Sequence, residues 1–439
     1  FSLHALMVGP AAARAQAITG SITGTVSTSS QAVLGGATVK VSNKSVNLER
    51  TVITDEYGSY QVSGLPVQGD YQIGVDFSGF APSIHSGVSL AAKPDVVVDI
   101  VLHAATAETL VVTGRVTTLD AERTAVQQTV SEALVHALPI LNRDFITLAS
   151  LTPGFTGNTS YPSAQGQMFW GNNVIVDGAS HFSKWRGAAR TFYSGYPLEA
   201  IKEVQVLTSQ FSAEYGEAMA SVTSAVTQSG TNVLHGSALT FAQQTVFNDI
   251  PAFTPERPPF GLQRFGATLG GALVPDRTHF FTSYEGRRQR GHAIVTSPAQ
   301  NGALTTNNQD EHLFFAKLDH KTSVRDLLSA RYNGQRFRWR DEPGGLWLAG
   351  TGTDVQNDVH TALVTSTRLI SDAAMHQVRV QFSDYTDRKT DLSPSVYVAR
   401  SGYSIQGGLI GPYGIGATPE RTWEAADTFS YSVRGHAVK

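Results

Sequence analysis

The sequence contains no cysteine, which excludes disulfides and thiolate-bound metals. Charged residues make up only 16%, and a net charge of −3 gives no electrostatic case for nucleic acid. Beyond the N-terminus no run of about 18 apolar residues occurs, so no helix is set to cross a bilayer. Catalytic signatures are missing too: there is no His-Glu-x-x-His helix, no Gly-x-Ser-x-Gly elbow and no glycine-rich phosphate loop. The histidines are scattered, and His103, His181, His235 and His279 read as strand-end or loop residues rather than ligands. Together these gaps argue against an enzyme, a cofactor and a metal site. What is abundant is glycine, with 41 residues, alongside much Thr, Ser and Val, a composition that favours an all-β architecture with many tight turns.

The first residues, FSLHALMVGPAAARAQA, form an apolar core ending in small residues, and Ala13-Arg14-Ala15 fits a signal-peptidase site. Residues 1–15 are therefore read as part of a signal peptide. From Ile18 to Leu102, short alternating segments such as ATVKVSN, YQVSGL and DYQIGVDF recur, punctuated by Gly35-Gly36, 55–58 and Gly69-Asp70. This is the pattern of a small antiparallel sandwich, assigned to residues 16–104. Asp55, Glu56 and Asp70 match no calcium loop and read as turn acids. The stretch TDEYGSYQVSGLPVQGDYQIGV resembles the carboxypeptidase regulatory-like domain, which implies a transthyretin-like sandwich and, on its own, no activity.

A different pattern follows. Residues 131–138, SEALVHAL, have helical spacing with Ser131 as N-cap and Pro139 as stop. Asn142 is expected to cap a second short helix carrying Phe145, Ile146, Leu148, Ala149 and Leu151. NNVIVDGAS reads as a buried strand closing in an Asp177-Gly178 turn, and LEAIKEVQVLTSQ passes from a helical turn into another strand. These segments compose an α+β domain over 117–230. In order, LPILNRDFITLASLTPG, NNVIVDG, PLEAIKEVQVLTSQFSAEYG and SAVTQSGTNVLHGSALTF resemble the plug and first barrel strand of an Oar-like TonB-dependent outer-membrane transporter.

The remainder, 231–439, is expected to be the first part of an antiparallel transmembrane β-barrel. In HQVRVQFSD, Val378, Val380 and Phe382 alternate with Gln377, Arg379, Gln381 and Ser383, giving one lipid face and one wet lumen face. Similar alternation runs through GSALTFAQ, RFGATLGGALV, HFFTSYEGR, HLFFAKLDH, LLSARYNGQ and VTSTRLIS. PDRT reads as a short turn, while TPERPPFG and DEPGGLWLAGTGTD read as longer loops. The residues after Gly230 suffice for about eight to ten spanning strands, whereas plugged transporters close with about 22. The chain is accordingly read as a fragment truncated at both ends.

Between sandwich and plug, in the linker 105–116, stands ETLVVTG: Glu108, Thr109, Leu110, Val111, Val112, Thr113 and Gly114. An extended segment with unpaired backbone groups can be added as a strand to a partner's sheet edge. Its place before the plug-like domain resembles the TonB box, which implies docking of the energy-transducing TonB protein from the periplasm. The expected function is TonB-dependent transport or reception of a large solute across the outer membrane, with outer-membrane lipid as the barrel's surroundings. The alternative is a cell-surface carbohydrate-binding or adhesion protein without transport, and a secreted hydrolase comes third. Within SHFSKWRGAARTFYSGY, Lys184, Arg186 and Arg190 are the candidates for contact with ligand, and the aromatic residues are candidates for packing.

Overall fold

The computed structural model describes residues 19–103 and 126–438, apart from 29–31, 44–47, 68, 91–94, 131–133, 136–137, 139, 141–142, 159–160, 184–187, 190–194, 210–214, 251–256, 372–373, 394–397, 407–415 and 434–435. The segment 108–114, the leader 1–15, Asn142, Lys184, Arg186 and Arg190 all lie outside the described residues.

Alternating apolar residues build two facing sheets at the N-terminal end. The strands are β1 (Thr19–Thr28), β2 (Thr38–Asn43), β3 (Leu48–Ile53), β4 (Ser59–Pro66), β5 (Asp70–Asp76), β6 (Ser83–Ser89), β7 (Asp95–Val97) and β8 (Ile100–Leu102). One sheet places β1 beside antiparallel β4, with β7 and β8 parallel to successive parts of β1. The other runs β3-β2-β5-β6, antiparallel throughout. Val39 and Val41 of β2 and Ile73 and Val75 of β5 point into the same core as Ile22 and Val26 of β1. Each such side chain stabilises the fold by about 1.5–3 kcal/mol when fully buried. Two buried phenols keep their hydrogen bonds: Tyr60 Oη donates to Val98 O at 2.7 Å and Tyr71 Oη to Pro66 O at 2.6 Å. Glycine is required at position 24, where a Cβ would stand 1.9 Å from the Val98 carbonyl oxygen. Asp55 is a turn acid as expected, its Oδ1 accepting from the backbone N–H groups of Tyr57 and Ser59.

The plug-like region holds β9 (Val126–Val130), β10 (Phe155–Asn158), β11 (Tyr161–Ala164), β12 (Asn172–Val176), β13 (Ala179–Ser180), β14 (Phe182–Ser183), β15 (Ala188–Ala189), β16 (Ile201–Ser209) and β17 (Ser221–Thr227). Five of them form a mixed sheet in the order β13-β12-β17-β16-β9, with β12 and β17 parallel; β10 with β11 and β14 with β15 form separate hairpins. The predicted turn is present: Asp177 at φ 48° and Gly178 at φ 78° join β12 to β13, the positive-φ pair of a two-residue hairpin. A 3-10 turn at Leu198–Ala200 leads into β16.

The helical predictions hold less well. Of residues 131–138, Leu134 and Val135 are helical, and Leu138 N donates to Leu134 O at 3.1 Å. The second segment, Phe145–Leu151, is a 3-10 helix capped by Asp144, whose side chain accepts from Ile146 N, and so the cap is not Asn142. Arg143, immediately before that cap, sits at φ 52° with its side chain on Glu285 of the wall, and the helical run begins two residues later than the apolar spacing alone suggested.

The C-terminal half is a nine-stranded antiparallel sheet of sequential neighbours. It contains β18 (His235–Gln244), β19 (Phe260–Val274), β20 (Thr278–Ile294), β21 (Leu304–Lys321), β22 (Asp326–Asp341), β23 (Thr353–Ser371), β24 (Ala374–Asp391), β27 (Gly416–Val433) and β28 (His436–Val438). A small hairpin, β25 (Val398–Arg400) with β26 (Ser404–Gln406), sits in the connection after β24. Connections alternate in length. The turn at 275–277 and those after β21 and β23 are short, while 245–259, 295–303, 342–352 and 392–415 are long. Short turns belong to the periplasmic end of such a sheet and long loops to the outside. The sandwich meets the short-turn end: Leu327, Leu369 and Met375 of the wall join its apolar core. Beside them, Lys202 pairs with Asp70 at 3.2 Å and Ser89 Oγ donates to Glu203 Oε2 at 3.1 Å.

The two-residue period sorts the wall's side chains by face. Val380 is 40% exposed on the outer face, with Val378 and Phe382 beside it, while Arg379 is 4% exposed on the inner face. Leu269, Phe314, Leu318, Leu328 and Val364 continue the outer apolar band. The lumen side is not wet where these residues lie: Gln381 Nε2 donates to Ser180 O at 2.9 Å, so plug backbone stands where water was expected. Toward the long-loop end the band gives way to stacked pairs, Tyr284 on His312 and Tyr332 on His360, with ring centroids 6.2 and 6.1 Å apart. Such polar-tipped aromatics mark the edge of a hydrocarbon layer.

Two outcomes follow. Val380→Arg in the full-length protein is expected to cost about 2–4 kcal/mol near mid-bilayer, read as a lower folded fraction by heat-modifiable gel mobility, while Val380→Leu leaves it unchanged. Asp144→Ala is expected to cost about 0.5–2 kcal/mol of plug stability, and equal urea midpoints for variant and parent would remove the capping role.

Candidate functional site

The five-stranded sheet lies against the inner face of the wall, and their junction is the polar centre of the molecule. Its apolar part comes from both sides: Phe281 and Phe315 of the wall join Val174, Val176, Val204, Val206, Phe145 and Leu198 in one core. Tyr196 stands at the centre, with Phe145, His181 and Phe315 ring centroids 6.2, 5.9 and 6.3 Å away.

Two sets of charges cross this junction. In the first, Asp177 of the β12–β13 turn meets Arg331 of β22, its Oδ2 2.9 Å from Arg331 Nε. The approach is too poorly angled for a hydrogen bond, so this contact is coulombic. The guanidinium's directed bonds go elsewhere: Nη1 donates to Tyr196 Oη at 2.5 Å and to Asn333 Oδ1 at 3.1 Å, and Nη2 to Val176 O at 2.9 Å. Asp177 in turn accepts from Thr227 N at 2.9 Å and Thr227 Oγ1 at 2.8 Å, and Lys317 Nζ donates to that same hydroxyl at 3.1 Å. Burial alone would raise the Asp177 carboxyl, but Lys317, Arg331 and the two Thr227 bonds outweigh it and hold the group below its usual value. Gly178 is favoured by its φ of 78°, and a Cβ there would stand 1.7 Å from Arg379 Nη1, so that a larger residue would have to push the guanidinium aside.

In the second set, Arg143 reaches from the plug to both partners. Its Nη2 donates to Glu199 Oε1 at 2.7 Å within the plug, and its Nε to Glu285 Oε1 of β20 at 3.1 Å. Arg264 of β19 meets the same Glu285 oxygen at 3.2 Å. The positive φ of Arg143 aims its side chain at the wall, and its guanidinium also lies 5.3 Å from the Phe241 ring centroid of β18. Further along, Ser180 N donates to Glu424 Oε2 and Ser183 Oγ to Glu420 Oε2, tying β13 and β14 to β27.

Such an arrangement does no bond-making chemistry. It holds one body against another through charges sealed from solvent, which are stable when paired and costly when separated. Any displacement of the sheet from the wall must expose or break these pairs. Sequence reading missed them because Arg379 was counted only as a wet-face residue, Arg331 was not singled out, and Asp177 was read only as a turn former. A usable signal was present: an arginine at a lumen-facing strand position needs either water or a buried acid. Among the described residues no group of His, Asp and Glu could hold a metal ion.

Residues 21–103 match the carboxypeptidase regulatory-like domain model, and residues 226–303 match the outer membrane β-barrel domain model. The TonB-dependent transporter Oar of Myxococcus xanthus is 29% identical over 267 residues, 56% of this chain and 25% of that protein. The chain thus spans about a quarter of the length of this curated relative. The outer membrane transporter YddB of Escherichia coli superposes with a TM-score of 0.53 at 13% identity, covering 70% of this chain and 45% of its own. A mutant ferric enterobactin receptor of Pseudomonas aeruginosa in complex with enterobactin gives 0.50 at 15% identity, covering 72% and 48%. At these identities the structural likeness is one of fold. The chain is a homologue of an Oar-type TonB-dependent transporter, it carries a carboxypeptidase regulatory-like domain, and its barrel-type sheet lies in the outer membrane. Its relatives are transporters and receptors, not enzymes.

Breaking the Asp177 and Arg331 pair on one side, by Asp177→Asn or Arg331→Met, is expected to cost about 3–5 kcal/mol of plug attachment, and the double variant less than the sum. Urea titration with a protease-cleavage readout of the plug checks this. Because the Asp177 carboxyl is held low when folded, its contribution is complete above its unfolded value, near pH 3.9, and is lost as pH falls through the folded value. Attachment is therefore expected to weaken in acid in the parent and much less so in Asp177→Asn.

Proposed function

We propose that this chain is part of a TonB-dependent outer-membrane transporter, or receptor, that takes up a large solute through a plug-gated barrel energised from the periplasm. The observation that carries the reading is a mixed sheet held in the hollow of an antiparallel membrane wall by buried ion pairs of Asp177, Arg331, Arg143 and Glu285. A body fastened in this way blocks passage at rest and is released only by work done on it. The outer membrane has no nucleotide supply, so that work has to arrive mechanically from the periplasmic side. The homologous transporter is named for its dependence on TonB, which supports the same partner here.

In this reading residues 16–104 form the periplasmic sandwich, 105–116 the linker, 117–230 the plug and 231–439 the first part of the barrel. Residues 108–114 are the handle: TonB adds Glu108, Thr109, Leu110, Val111, Val112, Thr113 and Gly114 as a strand to an exposed sheet edge. Lys184, Arg186 and Arg190, in the plug segment that follows β14, are the proposed contacts to ligand.

Strand addition relies on backbone donors, and proline removes one while fixing φ. Val111→Pro is therefore expected to abolish energised uptake while leaving surface binding and membrane insertion intact, and Val111→Thr to be tolerated. The measurement pairs labelled-ligand binding on de-energised cells with accumulation in energised ones. Equal accumulation by Val111→Pro and parent would make the segment a connector.

A further inference from the structure

The sandwich touches the rest of the molecule through two contacts of different chemistry. Toward the wall the contact is apolar: β4 lies against β24 and β27, and Leu327, Leu369 and Met375 of the wall are buried in the same core as Tyr60, Val62 and Leu65 of β4. Toward the plug-like sheet it is polar. Lys202 Nζ donates to Asp70 Oδ1 at 3.2 Å, and Ser89 Oγ to Glu203 Oε2 at 3.1 Å. Asp70 and Ser89 stand opposite one another on β5 and β6, so a single corner of the sandwich holds two consecutive residues of β16.

Consecutive side chains of a regular strand point to opposite faces. At this point β16 is not regular: its register against β17 shifts between Ile201 and Glu203, leaving Lys202 as the extra residue. A bulge re-aims a side chain, and here it lets Lys202 and Glu203 reach the same corner. The strand so held is an inner one, lying between β17 and β9, and β17 carries the Thr227 that bonds Asp177. The sheet cannot leave the wall as a body unless β16 goes with it. The two contacts also suit different tasks. Apolar area buried against the wall makes a lasting anchor. The pair of Lys202 and Asp70 is partly solvated, with the Asp70 side chain 50% exposed, and such a pair exchanges for water at little cost.

We propose that the sandwich is a lock on the plug-like sheet. It stays anchored to the wall through Leu327, Leu369 and Met375, it clasps the bulge of β16 through Asp70 and Ser89, and β16 leaves the wall only when that clasp opens. The inference rests on the function proposed above in one respect, that a pull from the periplasm arrives at residues 108–114. Load applied there falls on a sheet that is held at β16 by a body which does not move with it. The clasp therefore adds to the threshold set by the buried ion pairs, and because it is polar and partly wet it can close again when the load is removed.

The test uses the full-length protein in a supported bilayer, pulled at constant load through a peptide handle inserted after Gly114, and reads the lifetime of the sheet on the wall. All variants are first confirmed as folded by heat-modifiable mobility. Asp70→Lys turns the attraction to Lys202 into a repulsion and should shorten the lifetime about two- to fivefold, the range of a partly solvated pair. The exchanged pair Asp70→Lys/Lys202→Asp should restore it. When the anchor is cut by Leu327→Ala/Leu369→Ala/Met375→Ala, Asp70→Lys should shorten the lifetime no further, because a sandwich free of the wall holds nothing back; contacts that merely add stability would multiply instead. Equal lifetimes in parent and Asp70→Lys overturn the proposal. So does an exchanged pair that fails to restore the lifetime, or an undiminished effect of Asp70→Lys in the protein with the cut anchor. If that last protein does not fold, the first two comparisons decide. Neither TonB nor solute enters the measurement, so failure of the lock is distinguishable from failure of the transport reading, which the Val111→Pro comparison decides.

Discussion

A charge sealed between a plug and a barrel wall must be paired, and much of this structure is arranged around that requirement. Asp177 is placed at the wall by a two-residue turn whose second residue, Gly178 at φ 78°, adopts a conformation that favours glycine, and it meets Arg331 where Tyr196, Asn333 and the Val176 carbonyl complete the guanidinium's bonds. Arg143 satisfies the same requirement from the other side, spanning Glu199 and Glu285 from an unusual backbone conformation. Because neither partner of such a pair is solvated if the other leaves, the junction resists partial loosening. In the function proposed above, holding this sheet and releasing it would be set against the same few contacts.

The wall carries a different environment on each face, and the two-residue period of a strand is what makes this possible. On the outer side Val378, Val380 and Phe382 face the hydrocarbon; on the inner side Arg379 and Gln381 are as deeply buried as a core residue, though both are polar. Polar and buried are compatible there because the plug supplies hydrogen-bond partners, as Ser180 O does for Gln381. A lumen filled with protein therefore selects for polar side chains with defined partners, where an open channel would need only hydrophilicity.

The sandwich is tied to the same arrangement at the short-turn end. Leu327, Leu369 and Met375 extend its apolar core into the wall, and Asp70 and Ser89 reach Lys202 and Glu203 at the start of β16 in the plug. It therefore touches both the fixed wall and the body proposed to move.

Several features were legible in the residues alone because they depend on neighbours in sequence. Alternation in HQVRVQFSD identified the outward Val380 and the inward Arg379, Asp177-Gly178 announced its hairpin, and the strand pattern of 18–102 announced the sandwich. Each follows from the period of a strand or the φ demanded by a turn, both properties of a few consecutive residues. The cap at Asp144 instead of Asn142 was not legible, because it stands beside a positive-φ Arg143 whose side chain makes a contact 142 positions away in the chain. The same holds for the partner of Arg331, which lies 154 positions from Asp177, and for the dryness of the lumen face. Pairing across such distances depends on how two independently patterned sheets come to lie against one another. That is decided by burial and by the cost of an unpaired charge in the finished structure, and no local period encodes it.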